Sequence, residues 1–264
     1  MTMFDHELAT SSSEDQKNGV TETFLASNMP RKTSYVASEG TGMERRVGTE
    51  LKDLKGRILA MAGYVEQAID RAVQALQERN SKKLEEVYQL ESKINQSHID
   101  VDNACLGVLA RQAPVAADLR LILAIIKINT DLERMGDQAV NISHNAERYL
   151  REEAVEIAQV FPQMAALVRT MVRDSLDSFV NADIELARKV LKSDDAVDEF
   201  KKNTIEKLMQ VMKSEPTKID GALDLILIAR NLERMADHAT NIAEDVIFVS
   251  TGEDVRHGGG KKGS

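Results

Sequence analysis

Tryptophan is absent from this chain of 264 residues, and only four Tyr and six Phe supply aromatic bulk. A sheet sandwich leans on aromatic and β-branched side chains. The interior here must instead be filled by Leu, Ile, Val, Ala and Met, the residues of packed helices. Cysteine is nearly absent as well. A single Cys105 admits no internal disulfide, and its neighbours Ala104, Leu106 and Val108 mark it as a small buried apolar residue. The longest pure apolar run, Leu121 to Ile126, is far below the roughly 20 residues that cross a bilayer. Residues 1–20 lack the basic and apolar regions of a secretory signal, so the expected location is the cytoplasm. Positive charge is in deficit, with 34 Lys and Arg against 43 Asp and Glu for a net charge of −9. Nucleic-acid binding needs clustered cations and lipid binding a basic amphipathic stripe, so neither partner is expected, and any membrane contact would be indirect, through a protein.

Helix breakers are few and well spaced. Between residues 49 and 250 there are five glycines (Gly56, Gly63, Gly107, Gly136, Gly221) and three prolines (Pro114, Pro162, Pro216). Together with the polar breaks at Asn80-Ser81 and Asn181-Ala182-Asp183, they divide this stretch into six long segments, each predicted to be a helix. The apolar spacing agrees. Leu121, Ile125, Ile128, Leu132, Met135, Ala139 and Ile142 step by four and three, as do Leu225, Ile228, Leu232, Met235, Ala239, Ile242 and Val246, the pattern of a bundle seam.

The two halves are related. Residues 131–142 (DLERMGDQAVNI) match 231–242 (NLERMADHATNI) at 8 of 12 positions, and Pro114 corresponds to Pro216 upstream. Each repeat is therefore three helices. The expected fold is all-α, two tandem three-helix bundles forming an elongated six-helix molecule. Its parts are a disordered extension over 1–48, a first bundle over 49–152, a second over 153–250 and a flexible tail over 251–264.

The third helix of each repeat carries two carboxylates one turn apart, Glu133 with Asp137 and Glu233 with Asp237. The second helix carries a related pair, Glu91 with Asn95 and Asp194 with Asp198. If helices two and three form an antiparallel hairpin turning at Pro114 or Pro216, both pairs lie at one level, roughly 30 Å from the turn at 1.5 Å per residue. Up to four negative charges would then face one another, which folding tolerates only with protons or a cation. All-oxygen ligands favour hard or borderline metals such as Mg²⁺, Mn²⁺ or iron. His238, next to Asp237, could join or orient the second site, whereas Asn95 weakens the first. Glu133 and Asp137 project away from the Leu132/Met135 stripe, so such a metal would sit on an outer face. The plain alternative is a solvated face on which Arg134 and Arg234 neutralise their neighbours.

Residues 114–120 (PVAADLR), 132–137 (LERMGD) and 232–244 (LERMADHATNIAE) resemble the signature stretches of the PhoU family, with the likeness spanning about residues 49–250. That resemblance implies two three-helix bundles that hold metal clusters at the surface through paired E(D)xxxD motifs. It also implies a non-enzymatic negative regulator of phosphate homeostasis, a homodimer that works with the ATPase subunit of the phosphate ABC transporter and with a phosphate-responsive sensor histidine kinase. By the same resemblance Glu133, Asp137, Glu233 and Asp237 are ligands, with Glu91, Asp194 and Asp198 completing sites for iron, Mn, Mg or Zn, to which His238 is added for its place beside Asp237. No nucleophile, P-loop or dinucleotide fingerprint competes with this reading. Two other functions stay in view. A carboxylate-bridged di-metal redox enzyme requires Glu-x-x-His pairs, and none occurs. A histidine phosphotransfer bundle would use His144 or His238.

Overall fold

The computed structural model describes residues 42–252 apart from 113 and 115, without side-chain detail at 42–46, 116 and 157. Six α-helices of 21 to 37 residues follow one another: α1 Gly42–Glu78, α2 Lys82–Gln112, α3 Ala116–Tyr149, α4 Phe161–Asn181, α5 Ile184–Ser214 and α6 Ile219–Thr251. Short 3₁₀ turns at Glu156–Val160 and Pro216–Lys218 lead into α4 and α6.

The breaks at Asn80-Ser81, Pro114, Asn181-Ala182-Asp183 and Pro216 fall between helices, whereas the five glycines lie within them, and the local chemistry shows why the helices stop where they do. After α4, Ala182 turns left-handed at φ 52°, and the Asp183 side chain then accepts a hydrogen bond from Leu186 N, capping α5. Between α1 and α2, Arg79 turns left-handed at φ 48° while Asn80 Oδ1 accepts from Lys82 N. Pro162 lies in the first turn of α4, where its missing N–H costs nothing. α6 ends at Gly252, whose φ of 77° favours a residue without a Cβ. The start of α1 differs from expectation. The helix begins at Gly42 rather than 49, because Val47 and Leu51 continue its buried stripe. Residues 1–41 and 253–264, expected to be disordered, lie outside the described residues.

In each half three helices close around an apolar seam that includes every residue of the two predicted stripes except Leu121, which is partly buried against it. Cys105 is fully buried, and burial with the charge of Asp102 pushes its thiol up to about 11.

The halves share one continuous core. The third helices pack antiparallel, tied by Lys127–Asp245 at 2.9 Å, Asp131–His238 at 2.8 Å and Arg148–Asp224 at 2.6 Å. The first helices α1 and α4 also run antiparallel, through Asp70–Arg169 and Glu66–Arg173. The first and third helices thus each meet their own repeat mate across a pseudo-two-fold axis between the halves. The connector at 150–155 is pinned to the α1–α2 turn: Arg79 donates to the carbonyls of Leu150 and Glu152 and lies 5.1 Å over the Tyr149 ring. The Tyr149 hydroxyl in turn accepts from Val155 N.

Candidate metal centre

Helices α5 and α6 form the second hairpin, and their register sets the site. Because α5 ends at Ser214 and α6 starts at Ile219, Asp194 falls opposite Asp237 and Asp198 opposite Glu233. The contacts agree. Lys201 Nζ donates to Asp198 Oδ1 at 2.8 Å and to Glu233 Oε1 at 2.7 Å, bridging the two helices. Partial burial, then the charges of Asp237, Asp198, Glu233 and Asp195, push the Asp194 carboxyl up to about 6. Asp237 is also raised, by burial first and then by Glu233 and Asp198, against the opposing effects of His238 and Lys201. Four carboxylates therefore sense one another across the hairpin, and one ammonium compensates two of them.

His238 is placed differently from the expectation that it joins these carboxylates. Its ring is turned toward the other half, where Nδ1 lies 2.8 Å from Asp131 Oδ1. A carboxylate oxygen accepts, so the proton of this contact sits on Nδ1. A carboxylate behind an imidazole is the arrangement that orients a histidine ligand, but here the ring acts on Asp237 only through charge.

In the first hairpin the level is fixed by Gly136. A Cβ added there would stand 3.1 Å from Ile94 Cγ2, so α3 touches α2 at this point, with Glu91 and Asn95 on one side and Glu133 and Asp137 on the other. The charges are already balanced locally. Asn95 Nδ2 donates to Glu91 Oε1 at 2.6 Å, and Arg134 stands 3.6 Å from both Glu133 and Asp137. This is the salt-bridged alternative, realised in one half. In the second half the ion pairs run to Lys201 instead of Arg234.

All the motif carboxylates lie outside the core, as their projection from the seam requires. Glu133, Asp137 and Glu233 are partly exposed, and Asp237 is exposed. Among the described residues, no three His, Cys, Asp or Glu side chains already converge as a ligand shell. The donor set of the second half nevertheless suits a hard cation, for it offers only oxygens and holds excess negative charge. Lys201 occupies the place a cation would take. The first half suits one less well, because Arg134 and Asn95 have satisfied its carboxylates.

Sequence reasoning missed two residues of this region. Lys201 lies one turn beyond Asp198 on the facing stripe of α5, a spacing that could have flagged it. Asp131 could have been found only by supposing that the repeats pack on each other through their third helices.

His98 is a flank histidine, with Nδ1 3.3 Å from the Asn129 carbonyl and Nε2 3.5 Å from Asp102. His144 stacks obliquely near Tyr88 at 5.7 Å. Asp118 sits in the first turn of α3, where a carboxylate complements the helix dipole.

A duplicated three-helix repeat, paired across its third helices and bearing acidic pairs on its hairpins, defines a class of all-helical tandem-repeat bundles. The chain belongs to the PhoU family: the PhoU domain model matches residues 58–146 and again 161–246. Among its relatives is a phosphate-specific transport system accessory protein PhoU homolog of Pseudomonas putida, 38% identical over 225 residues, which cover 83% of this chain and 86% of that protein. The homolog so named from Aquifex aeolicus is 39% identical over 208 residues, 79% of this chain and 94% of that one. The crystal structure of PhoU from Pseudomonas aeruginosa superimposes with a TM-score of 0.74 at 36% identity, covering 78% of this chain and 99% of that chain. The phosphate transport system regulatory protein PhoU from Streptococcus pneumoniae gives 0.72 at 27% identity, over 79% and 99%. No described helix is long and apolar enough to cross a membrane.

Proposed function

We propose that this chain is a metal-binding accessory regulator of phosphate-specific transport, which represses phosphate-starvation signalling by docking on the transporter's ATPase subunit and on a sensor histidine kinase. Membership of a family whose relatives carry the name of transport-system accessory proteins supports the role. The observation that carries the metal part is the α5/α6 cluster, where Asp194, Asp198, Glu233 and Asp237 crowd at one level with Lys201 alone to balance them. When bound, a cation such as Mn²⁺, Mg²⁺, iron or Zn²⁺ would supply fixed positive charge at an exposed helix face. Those four carboxylates would hold it once Lys201 swings aside, with His238 kept in orientation by Asp131. Glu91, Glu133 and Asp137 would form the weaker counterpart. The protein is proposed to work in the cytoplasm, as a homodimer and without catalysis of its own.

A di-metal oxidase places its Glu and His ligands inside the bundle, whereas these carboxylates face out. Phosphotransfer through His238 is disfavoured by the Asp131 contact, which holds the ring at 18% side-chain exposure. The test is co-purification with the transporter ATPase from phosphate-replete and phosphate-starved cells. Association under plentiful phosphate, lost under starvation, is the expected result. Absence of the ATPase under both conditions would overturn the docking reading.

A further inference from the structure

The hairpin faces that carry the acidic pairs do not end with them. On α3, Leu119 and Leu123 fall within the same arc of about 80° as Glu133 and Asp137, and Leu106 shares the Glu91/Asn95 stripe of α2. The second half repeats the pattern at matching positions, with Ile219 and Leu223 on the Glu233/Asp237 stripe of α6 and Met209 on the Asp194/Asp198 stripe of α5. All six are exposed, Leu106 by 61%, Leu223 by 49%, Leu123 by 48% and Met209 by 47%. A lone exposed Leu needs no explanation. Three on each hairpin, at corresponding places in two repeats that have diverged elsewhere, form a face. Each face is apolar near its proline turn and acidic about 15 Å further along. The second remains net negative even with Lys201 and Arg230 counted on its stripe.

We propose that each hairpin face, while its carboxylates hold no metal ion, docks one amphipathic helix of a protein partner, its apolar side chains on the residues near the turn and its Lys or Arg side chains over the carboxylates. Charge selects this occupant. An anionic lipid surface is repelled by the carboxylates, and the same face of a second copy of this chain brings acid against acid. A basic helix with anchors at i, i+3, i+4 and i+7 satisfies both ends of the face at once. This deepens the docking reading above and rests on it only for the identity of the partner.

The probe is a fluorescein-labelled helical peptide of about 18 residues, with Leu at those spacings and a Lys-Arg block about ten residues away. It is titrated with the purified full chain in EDTA and followed by anisotropy. Saturable binding is expected, weakened about tenfold or more in Leu123→Asp/Leu223→Asp and absent for the peptide with Glu in place of Lys and Arg. Both substituted residues are exposed, so the circular dichroism spectrum stays that of the parent chain. Equal affinity of the double variant, or equal binding of the Glu peptide, would overturn the proposal. So would a concentration-dependent dimer, or binding to phosphatidylglycerol vesicles, that the double variant abolishes. Failure here with ATPase co-purification intact leaves the functional reading standing. Loss of co-purification with peptide binding intact strikes that reading alone.

Discussion

Replacing Lys201 by Met removes the ammonium that bridges the α5/α6 carboxylates while keeping the length of its stem. The bond to Glu233 joins side chains exposed by 24% and 21%, and is worth about 1 kcal/mol. The bond to Asp198, itself 56% exposed, adds a few tenths of a kcal/mol, roughly 0.3–0.5. A loss of about 1–2 kcal/mol lowers Tm by roughly 3–6 °C in a body of this size. The deficit depends on pH with a definite sign. Asp194 titrates at about 6 in the folded chain against an ordinary 3.8, so the fold binds its proton more tightly than the unfolded chain does. That group favours folding as pH falls from about 6 toward 4 and opposes it as pH rises through 6. At pH 7.5 the variant faces four charges, and at pH 5 it faces at most three. Lys201 also holds the Asp237 carboxyl down, so its loss is felt less once that group takes up a proton, and scanning calorimetry in EDTA should show a smaller drop at pH 5 than at pH 7.5. An equal drop at both values, or none at pH 7.5, would refute the assignment of Lys201 as the resident counter-charge.

Two further substitutions test the packing. Arg148→Ala strands Asp224, whose side chain is only 9% exposed, at the junction of α3 and α6, and should cost about 2–3 kcal/mol in urea denaturation. Arg148→Met/Asp224→Leu should cost less than the single variant, and a greater cost would show that the pair is net stabilising. Gly136→Ala gains about 1 kcal/mol of helix propensity but crowds Ile94 at 3.1 Å and 3.2 Å. The second half solves the same contact with Val197 and Ala236, both buried. Gly136→Ala should therefore be close to neutral alone and stabilise by about 1 kcal/mol in the Ile94→Val background. Equal effects in both backgrounds would show that the contact does not constrain the site.

Most of the fold was legible because its signals are local. Pro114, Pro216, Asn80 and the 181–183 turn mark where helices stop, and the 100-residue repeat says that what holds for one hairpin holds for the other. Once the turns are placed, counting residues from them sets Asp194 opposite Asp237 with no further information. What escaped is the meeting of the halves. Nothing in the sequence singles out Asp224 and Asp245, yet both are buried, because the partner helix brings Arg148 and Lys127 from more than 70 residues away. The same contact takes His238 toward Asp131. The spacing along one helix cannot reveal a partner on another repeat. The start of α1 was lost for a different reason: residues 42–48 supply only Met43 and Val47 as apolar residues among polar neighbours, too few to show a period.

Elemental analysis of the chain purified from metal-replete medium, set beside Glu233→Ala/Asp237→Ala and Glu133→Ala/Asp137→Ala, tests the acidic hairpin faces most directly. The substitutions in α6 are predicted to remove most of the bound metal and those in α3 the smaller remainder, with helicity retained in both. Metal content unchanged in both variants, or lost chiefly from the α3 variant, would contradict the assignment of the α5/α6 carboxylates as the stronger cation site.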